Sequence, residues 1–351
     1  MYKRQIYIYE EEFSVGNTRK SIKGIIARVQ LEEFSKGIIL PHEFTLSKAK
    51  EDRLNLMKAT NCNFSQIYAL YMDEKHTTLA TIDEQSKAKA DLEFTDETGV
   101  THRLWIETDE EIIAKLVADF ADRKLYIADG HHRYETALNY RNYCRENGIS
   151  KPGDPQDFQM IYLVDMEHRG LVVFPTHRLV RDLPNFDKEA VLEKCSEFFY
   201  IDEKEGTDTM EEDLKKLYDE GKKAFGFYCG KGEWFLLTLK NIDFMSQMLP
   251  NVSKASQSLD VSVLHTLILE KIFGIDKENM AKQINLTYTK FFTEAIDGVD
   301  KGEFQCSFVL NPTRVTEIRD VAAAGEKMPQ KSTYFYPKMI TGMVMNNLGV
   351  D

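Results

Sequence analysis

Strand-like apolar runs alternate with helical patterns along the whole chain, and this alternation constrains the fold most. Residues 6–9, 21–30 and 158–165 are rich in β-branched and aromatic side chains, which predicts strands. Residues 134–147 and 259–273 are predicted helices, the latter with apolar residues at helical spacing. Strands and helices in this order predict a mixed α/β (α+β) fold.

The length of 351 residues predicts about two domains or one large α/β unit. The clearest loop of the first half is the Pro- and Gly-containing segment 151–155. We therefore divide the chain into an N-terminal part, residues 1–150, and an α/β region, residues 151–351, that completes the site. The same segment also fits an ordinary surface loop.

Charge and cysteine content argue against several classes of function. The chain has 45 Lys and Arg against 57 Asp and Glu, a net charge of −12, which disfavours a nucleic-acid partner. No apolar run approaches the roughly 20 residues that span a bilayer, so we expect no membrane partner. Five scattered cysteines without CxxC spacing argue against a zinc site and a disulfide framework, and predict reduced thiols in a cytoplasmic protein.

One strand–turn–helix pattern carries the residue types of an anion site. A strand-like run ends at Asp129, Gly130 permits a tight turn, and a helix N-terminus with its unpaired N–H groups follows. The fork of Arg133 matches phosphate oxygens, and Asp129 is a candidate ligand for a divalent metal. The neighbours His131 and His132 point about 100° apart on a helix, which argues against zinc. The alternative is a helix cap at Asp129 with a surface ion pair at Arg133.

A second group of candidates follows an apolar strand-like run. Glu43 stands where a carboxylate can accept a proton from a substrate hydroxyl, with His42 and Thr45 beside it in the sequence. Lys50 and Arg53 share a helix face and are candidate phosphate ligands. A solvated loop acid at Glu43 and an ordinary charged helix surface are the alternatives.

Two cationic segments of the second half are further candidates. Lys331, Ser332 and Thr333 combine a cation with two hydroxyls, which suits an anionic group, although no Walker A pattern precedes them. His177 and Arg178 follow a strand-like run. A capped turn and a structural histidine are the respective alternatives.

The segment Asp129-Gly-His-His-Arg133 resembles the phosphate loop of the ParB/sulfiredoxin superfamily. It lacks the cysteine of sulfiredoxin, so sulfinic-acid reduction is not expected, and it is closer to the Asp-Gly-His version of archaeal free serine kinases. Longer segments resemble a bacterial family of unknown function (domain of unknown function 1015), which is often described as ParB-like. These segments are Pro41-His-Glu-Phe-Thr45, Lys50-Glu-Asp-Arg53, Pro175-Thr-His-Arg178, Leu259-Asp-Val-Ser-Val-Leu-His265, Leu310-Asn-Pro-Thr-Arg314 and Met328-Pro-Gln-Lys-Ser-Thr-Tyr-Phe-Tyr-Pro-Lys338.

The resemblance implies a ParB/sulfiredoxin-like core with an additional α/β C-terminal region. It implies a kinase that phosphorylates free L-serine from pyrophosphate or a nucleotide, with Mg²⁺ as cofactor. By this resemblance Glu43 is the catalytic base, Asp129 and His132 are catalytic, and Asp129 is the metal ligand. The remaining candidates bind phosphate or substrate: His42, Thr45, Lys50, Arg53, Gly130, His131, Arg133, His177, Arg178, Lys331, Ser332 and Thr333.

Two other functions stay open. A ParB-like nucleotide-binding or DNA-binding protein would need a basic face and a steep dependence of binding on salt. A phosphoserine phosphatase would use the same phosphate site in the opposite direction. The oligomeric state is open.

We also expect the chain to be truncated at its N-terminus. Residues 1–5 read like a translated sequencing adapter, and family members usually carry a further N-terminal segment with a Pro-Tyr-Asp motif. A genuine short start is the alternative.

Overall fold

An eight-stranded mixed sheet carries most of the first half of the chain in the computed structural model, which describes residues 5–45, 47–206 and 209–349. The chain divides into two units. The first takes the described residues up to Val172 and from Phe335 onward, and the second is Val173–Tyr334. Residues 151–172 therefore lie in the first unit. The predicted mixed α/β (α+β) class is confirmed.

The first unit holds ten strands and four α-helices among the described residues. The strands are β1 (Ile6–Val15), β2 (Thr18–Gln30), β3 (Ile39–Leu40), β4 (Cys62–Asn63), β5 (Ile67–Tyr71), β6 (Leu92–Thr95), β7 (Thr101–Glu107), β8 (Leu125–Asp129) and β9 (Phe158–Asp165), with Asn346–Asn347 pairing on β4. The helices are α1 (Ser47–Thr60), α2 (Thr77–Gln85), α3 (Glu110–Asp119) and α4 (His131–Glu146). The order in the sheet is β3-β8-β5-β9-β2-β1-β7-β6.

The first hairpin is longer than its apolar pattern predicts. Strand β1 continues through the acidic residues at 10–12, and Gly16, at φ 56°, turns the chain into β2. The acids stay in the strand because Arg103 on β7 lies 3.0 Å from Glu10 and 3.2 Å from Glu12. Cross-strand ion pairs of this kind stabilise a strand that alternation alone would end early.

Strand β8, which ends at Asp129, has one parallel and one antiparallel neighbour in the sheet. β8 pairs with β3 in parallel, with Ile39 opposite Leu125, and with β5 antiparallel. Because parallel strands end at the same edge of a sheet, the residues after β3 and those after β8 emerge side by side. Helix α4 begins one residue after β8 and buries Tyr134 and Ala137 in the core of this unit.

The second unit is built on a six-stranded antiparallel sheet, in the order β12-β14-β13-β16-β11-β15. Two short strands lie where the chain passes between the units, β10 (Val172–Phe174) and β17 (Tyr334–Tyr336), and Asn346–Asn347 is β18. The sheet strands are β11 (His177–Val180), β12 (Phe199–Glu205), β13 (Ala224–Tyr228), β14 (Glu233–Leu239), β15 (Leu286–Thr289) and β16 (Cys306–Val309). The helices are α5 (Lys188–Cys195), α6 (Met210–Asp219), α7 (Asp243–Met248), α8 (Lys254–Gln257), α9 (Asp260–Val263), α10 (Lys277–Lys282), α11 (Phe292–Asp300) and α12 (Val315–Ala323).

The helix expected over residues 259–273 is not a continuous α-helix. After α9 the chain forms a π-helix, Leu264–Glu270, in which the Lys271 amide donates to the Thr266 carbonyl five residues earlier. Apolar spacing cannot distinguish the two, because one extra residue in a turn leaves the side chains of the neighbouring turns buried. Within the described ranges, no helix has the length and apolar character needed to cross a bilayer.

Candidate functional site

The turn between β8 and α4, residues 129–133, leads into a helix N-terminus, the kind of element at which anions can bind. Gly130 adopts φ 100°, and α4 begins at His131, so the N–H groups of the first helical turn face away from the helix body. A Cβ at position 130 would lie 3.0 Å from both Nε and Nη2 of Arg133. The glycine is therefore required by its backbone conformation and by the packing of Arg133 over it.

Asp129 lies between two cations. Nη2 of Arg133 donates to Oδ2 at 2.6 Å, and Nζ of Lys338 donates to Oδ1 at 2.6 Å. Burial disfavours the charged carboxylate, but Lys338 and Arg133 outweigh it and hold the pKa of Asp129 below its usual range. Asp129 is thus ionised at neutral pH and holds both cations in place.

The guanidinium of Arg133 also braces the turn against β5. Its Nη1 donates to Oγ of Ser65 at 3.2 Å and to the carbonyl of Gln66. Arg133 therefore ties the first turn of α4 to the segment that leads into β5.

Two histidines join the segment after β3 to the first residue of α4. His42 is fully buried, and its Nδ1 donates to the carbonyl of Ile127 at 2.7 Å. Burial lowers the pKa of His42 to about 4, so the ring is neutral at pH 7. The backbone N–H of His42 donates to Nε2 of His131 at 3.2 Å, and the two rings pack edge to face with centroids 4.6 Å apart.

The same hydrogen bond determines which nitrogen of His131 carries a proton. Because Nε2 accepts from a backbone N–H, the hydrogen of the neutral ring is on Nδ1. Nδ1 of His131 lies 3.6 Å from Oε2 of Glu43, whose side chain is 29% exposed. Glu43 is therefore a partly accessible carboxylate beside an N–H group at the start of α4.

Glu135, which the sequence analysis did not select, connects the other candidates of this unit. Its Oε2 accepts from Oγ1 of Thr45 at 2.6 Å and from Nζ of Lys50 at 2.7 Å. Glu135 stands four residues after His131 and so lies on the same face of α4. That spacing is the signal that could have identified it.

Arg53 lies on a cleft that borders the turn. The cleft is lined by Arg53 and Arg133 together with apolar side chains that include Leu56 and Phe64. No carboxylate is among the described side chains that line it. The cleft therefore has a net positive charge.

The remaining candidates belong to the second unit. His177 and Arg178, both buried, begin strand β11, and burial lowers the pKa of His177 to about 3. Ser332 is buried and donates from Oγ to the carbonyl of Pro329 at 2.5 Å, whereas Lys331 is exposed and Thr333 half-buried.

The structure thus brings together nine candidates of the first unit at one edge of the sheet. His42, Glu43 and Thr45 lie beside residues 129–133, with Lys50 tied to α4 through Glu135. Lys338 was also missed as a site residue, although it closes the last of the segments quoted for the family resemblance. Its partner in this site was not predictable from spacing, because Asp129 lies 209 residues away in the sequence.

One family model covers the site residues of the first half of the chain, but not Lys338. The family described as Protein of unknown function (DUF1015) matches residues 2–262, which include 42–53 and 129–133. No curated protein sequence matches the chain. Similar solved structures include a conserved hypothetical protein from Pyrococcus furiosus (15% identity, 92% of this chain and 95% of that chain, TM-score 0.43) and a free serine kinase in complex with AMP (14%, 88% and 86%, TM-score 0.43). SbnI with a C-terminal truncation from Staphylococcus aureus is another (10%, 92% and 85%, TM-score 0.42).

Proposed function

The chain belongs to the family described as Protein of unknown function (DUF1015), and we propose that it is a small-molecule phosphotransferase. The acceptor is the hydroxyl of free L-serine, and the donor is pyrophosphate or a nucleotide. Two lines support the proposal: the sequence resemblance of the 129–133 turn to the phosphate loop of free serine kinases, and the geometry of the first unit.

The single observation that carries the proposal is the position of Glu43 beside the start of α4. A proton acceptor and an anion-binding helix N-terminus must lie together for a hydroxyl to attack a bound phosphoryl group. Glu43 Oε2 lies 3.6 Å from Nδ1 of His131, the first residue of the helix. This distance supports Glu43 as the base beside the proposed phosphate position.

The proposed reaction transfers one proton to Glu43 and one phosphoryl group to the serine hydroxyl. Glu43 takes the proton of the serine hydroxyl while that oxygen bonds to the terminal phosphorus of the donor. The bond from this phosphorus to the bridging oxygen breaks, and its electron pair leaves with phosphate or with the shortened nucleotide. The backbone N–H of His42 donates to Nε2 of His131 and so keeps the proton of the neutral His131 ring on Nδ1, 3.6 Å from the carboxylate of Glu43.

Negative charge on the donor is met by fixed positive groups. In the first unit these are the N–H groups of the first turn of α4, the cleft with Arg53 and Arg133, and the cations Lys50 and Lys338. Asp129 acts here by positioning Arg133 and Lys338. The roles of His132 as a catalytic residue and of His177, Lys331, Ser332 and Thr333 as phosphate or substrate ligands rest on the sequence resemblance. Arg178 is 0% exposed and donates to His265 and to backbone carbonyls, so we do not propose it as a direct ligand.

Mg²⁺ fits this site only when it is bound to the phosphates of the donor. Among residues 5–45, 47–206 and 209–349, no three His, Cys, Asp or Glu side chains are arranged to hold a metal ion. Both oxygens of Asp129 already accept from cations, which disfavours this carboxylate as a metal ligand in the present arrangement. Mg²⁺ commonly binds through substrate phosphates with few protein ligands, and there it would neutralise donor charge.

Phosphorus NMR of the products tests the proposal. The chain is incubated with L-serine, Mg²⁺ and, in separate samples, pyrophosphate, ADP or ATP. We expect a phosphoserine signal with at least one donor, and formation of that signal slowed by about 10²-fold or more with Glu43→Gln. No phosphoserine with any donor would contradict the proposal, and release of phosphate from added phosphoserine without a donor would support the phosphatase instead.

A further inference from the structure

Several segments quoted for the family resemblance meet at one buried side chain of the second unit. Arg178 lies on β11 and is 0% exposed. Both Nε and Nη2 donate to Nε2 of His265, at 3.3 and 3.1 Å, and Nη2 also donates to the carbonyl of Lys331 at 3.2 Å. Nη1 donates to the carbonyl of Thr176. These partners come from three separate parts of the chain.

The partners of Arg178 are neutral. No carboxylate pairs with it within the part of the chain that the structure describes, and the ring of Tyr288 lies 5.4 Å from its guanidinium carbon. A buried cation is costly unless its N–H groups are satisfied. Here backbone carbonyls and a neutral histidine accept hydrogen bonds from these N–H groups. Arg178 therefore holds backbone segments in position instead of pairing with an acid.

His265 has the protonation state that this contact requires. Its Nε2 accepts from Arg178, so the ring hydrogen is on Nδ1, and burial lowers the pKa of His265 well below its usual range. His265 lies near the start of the π-helix, Leu264–Glu270. π-Turns are rare and occur frequently at functional sites.

Two buried side chains donate hydrogen bonds to two consecutive backbone carbonyls of the loop that carries Lys331. Arg178 donates to the carbonyl of Lys331, and Oγ1 of Thr313 donates to the carbonyl of Ser332 at 2.8 Å. Lys331 adopts φ 58°, a left-handed conformation that is unfavourable for a residue with a side chain. The hydrogen bonds to the two carbonyls hold this conformation, and the Lys331 side chain is exposed.

We propose that Arg178, His265 and Thr313 are positioning residues that fix the backbone of residues 328–333 so that the exposed side chain of Lys331 is presented to a phosphate group. The inference rests on the proposed function, in which Lys331 binds donor phosphate. In this inference, buried residues of the family motifs do not contact the ligand themselves. They contribute to binding by positioning one exposed cation, Lys331.

Thr313 offers the sharpest test, because valine removes its hydroxyl at nearly constant shape and serine keeps it. We measure the affinity for pyrophosphate and for ATP by calorimetry, which needs no turnover, and amide hydrogen exchange of residues 330–333. For Thr313→Val we expect faster exchange in the loop and about tenfold weaker donor binding, the effect of one lost hydrogen bond. Thr313→Ser retains wild-type values.

A double variant separates positioning from a general structural effect. If Thr313 acts through Lys331, Lys331→Met with Thr313→Val binds the donor no more weakly than Lys331→Met alone, whereas unrelated effects would add. Additive losses, faster loop exchange with unchanged binding, or no binding of pyrophosphate and ATP by the wild-type chain would each overturn the inference. Phosphoserine formation tests the proposed function separately.

Discussion

Nδ1 of His131 lies 3.6 Å from Oε2 of Glu43, although the two residues are 88 positions apart in the sequence. The parallel pairing of β3 with β8 brings them together, and the hydrogen bond from the His42 amide to Nε2 of His131 orients the imidazole. A carboxylate beside a fixed N–H group can be both oriented and accessible, which a general base requires.

Replacement of Glu43 by glutamine should remove the base while keeping the shape. We expect kcat for serine phosphorylation to fall by about 10²–10⁴, with little change in the KM of the donor. Glu51→Gln, an exposed acid on α1, is the matched control and should keep wild-type rates. A Glu43→Gln variant with a rate close to wild type would exclude Glu43 as the base.

Loss of the Asp129 carboxylate should destabilise the first unit more than loss of its exposed partner. Asp129→Asn leaves Arg133, whose side chain is 21% exposed, without its anion, and we expect a loss of about 2–4 kcal/mol in unfolding free energy. Lys338→Gln should cost less than about 1 kcal/mol, because Lys338 is 45% exposed. Urea denaturation measures both, and the reverse order would contradict the assignment.

Alanine at position 130 should disturb the turn through Arg133. The added Cβ would lie 3.0 Å from Nε of Arg133, and φ 100° is strained for any side chain. Gly16→Ala is the matched control, since Gly16 also has positive φ but nothing lies within 4 Å of its Cβ position. We expect Gly130→Ala to lose at least about 1 kcal/mol more stability than the control and to weaken pyrophosphate binding. Equal effects in both variants would show that crowding of Arg133 is unimportant.

The buried Glu11 should make stability fall as pH rises above about 4.5. Burial raises its pKa to about 8, and Tyr9, hydrogen-bonded to both Glu11 and His102, lies beside it with Asp96 beyond. Between pH 4.5 and 8 the unfolded chain releases this proton and the folded chain keeps it. Folding stability therefore decreases by up to about 1.4 kcal/mol per pH unit from this group.

Glu11→Gln mimics the protonated acid and isolates this effect. The stability difference between variant and wild type, from denaturation at pH 5, 6, 7 and 8, should increase in favour of the variant as pH rises. A difference that is independent of pH would mean that Glu11 is already ionised in the folded protein at pH 5.

The sequence predicts the turn at residues 129–133 better than it predicts the start of α4 or the strand β3 beside it. Gly130 after an apolar run marks the end of β8, because few other residues adopt its backbone angles. The start of α4 at His131 rather than near Tyr134 could not be read from apolar spacing, because its first turn is polar and is held by the Arg133–Asp129 pair. The two residues of β3 have too short a pattern to reveal their pairing with β8.

The partners of charged residues were the least predictable part. Lys50 and Arg133 were predicted as phosphate ligands, which stays a prediction. Their anions, Glu135 and Asp129, are defined by packing of α1 on α4 and by the local i,i+4 geometry. His177 and Arg178 are buried because they lie on β11, which pairs with β15 on one side and β16 on the other. A cationic motif alone does not indicate this position.

Backbone amide chemical shifts during a pyrophosphate titration test the central claim most directly. With the deuterated, ¹⁵N-labelled chain, the account predicts that the amides of residues 130–133 shift in a saturable way, and that Gly130→Ala abolishes the response. Saturable binding that leaves these amides unchanged while others respond would contradict the account.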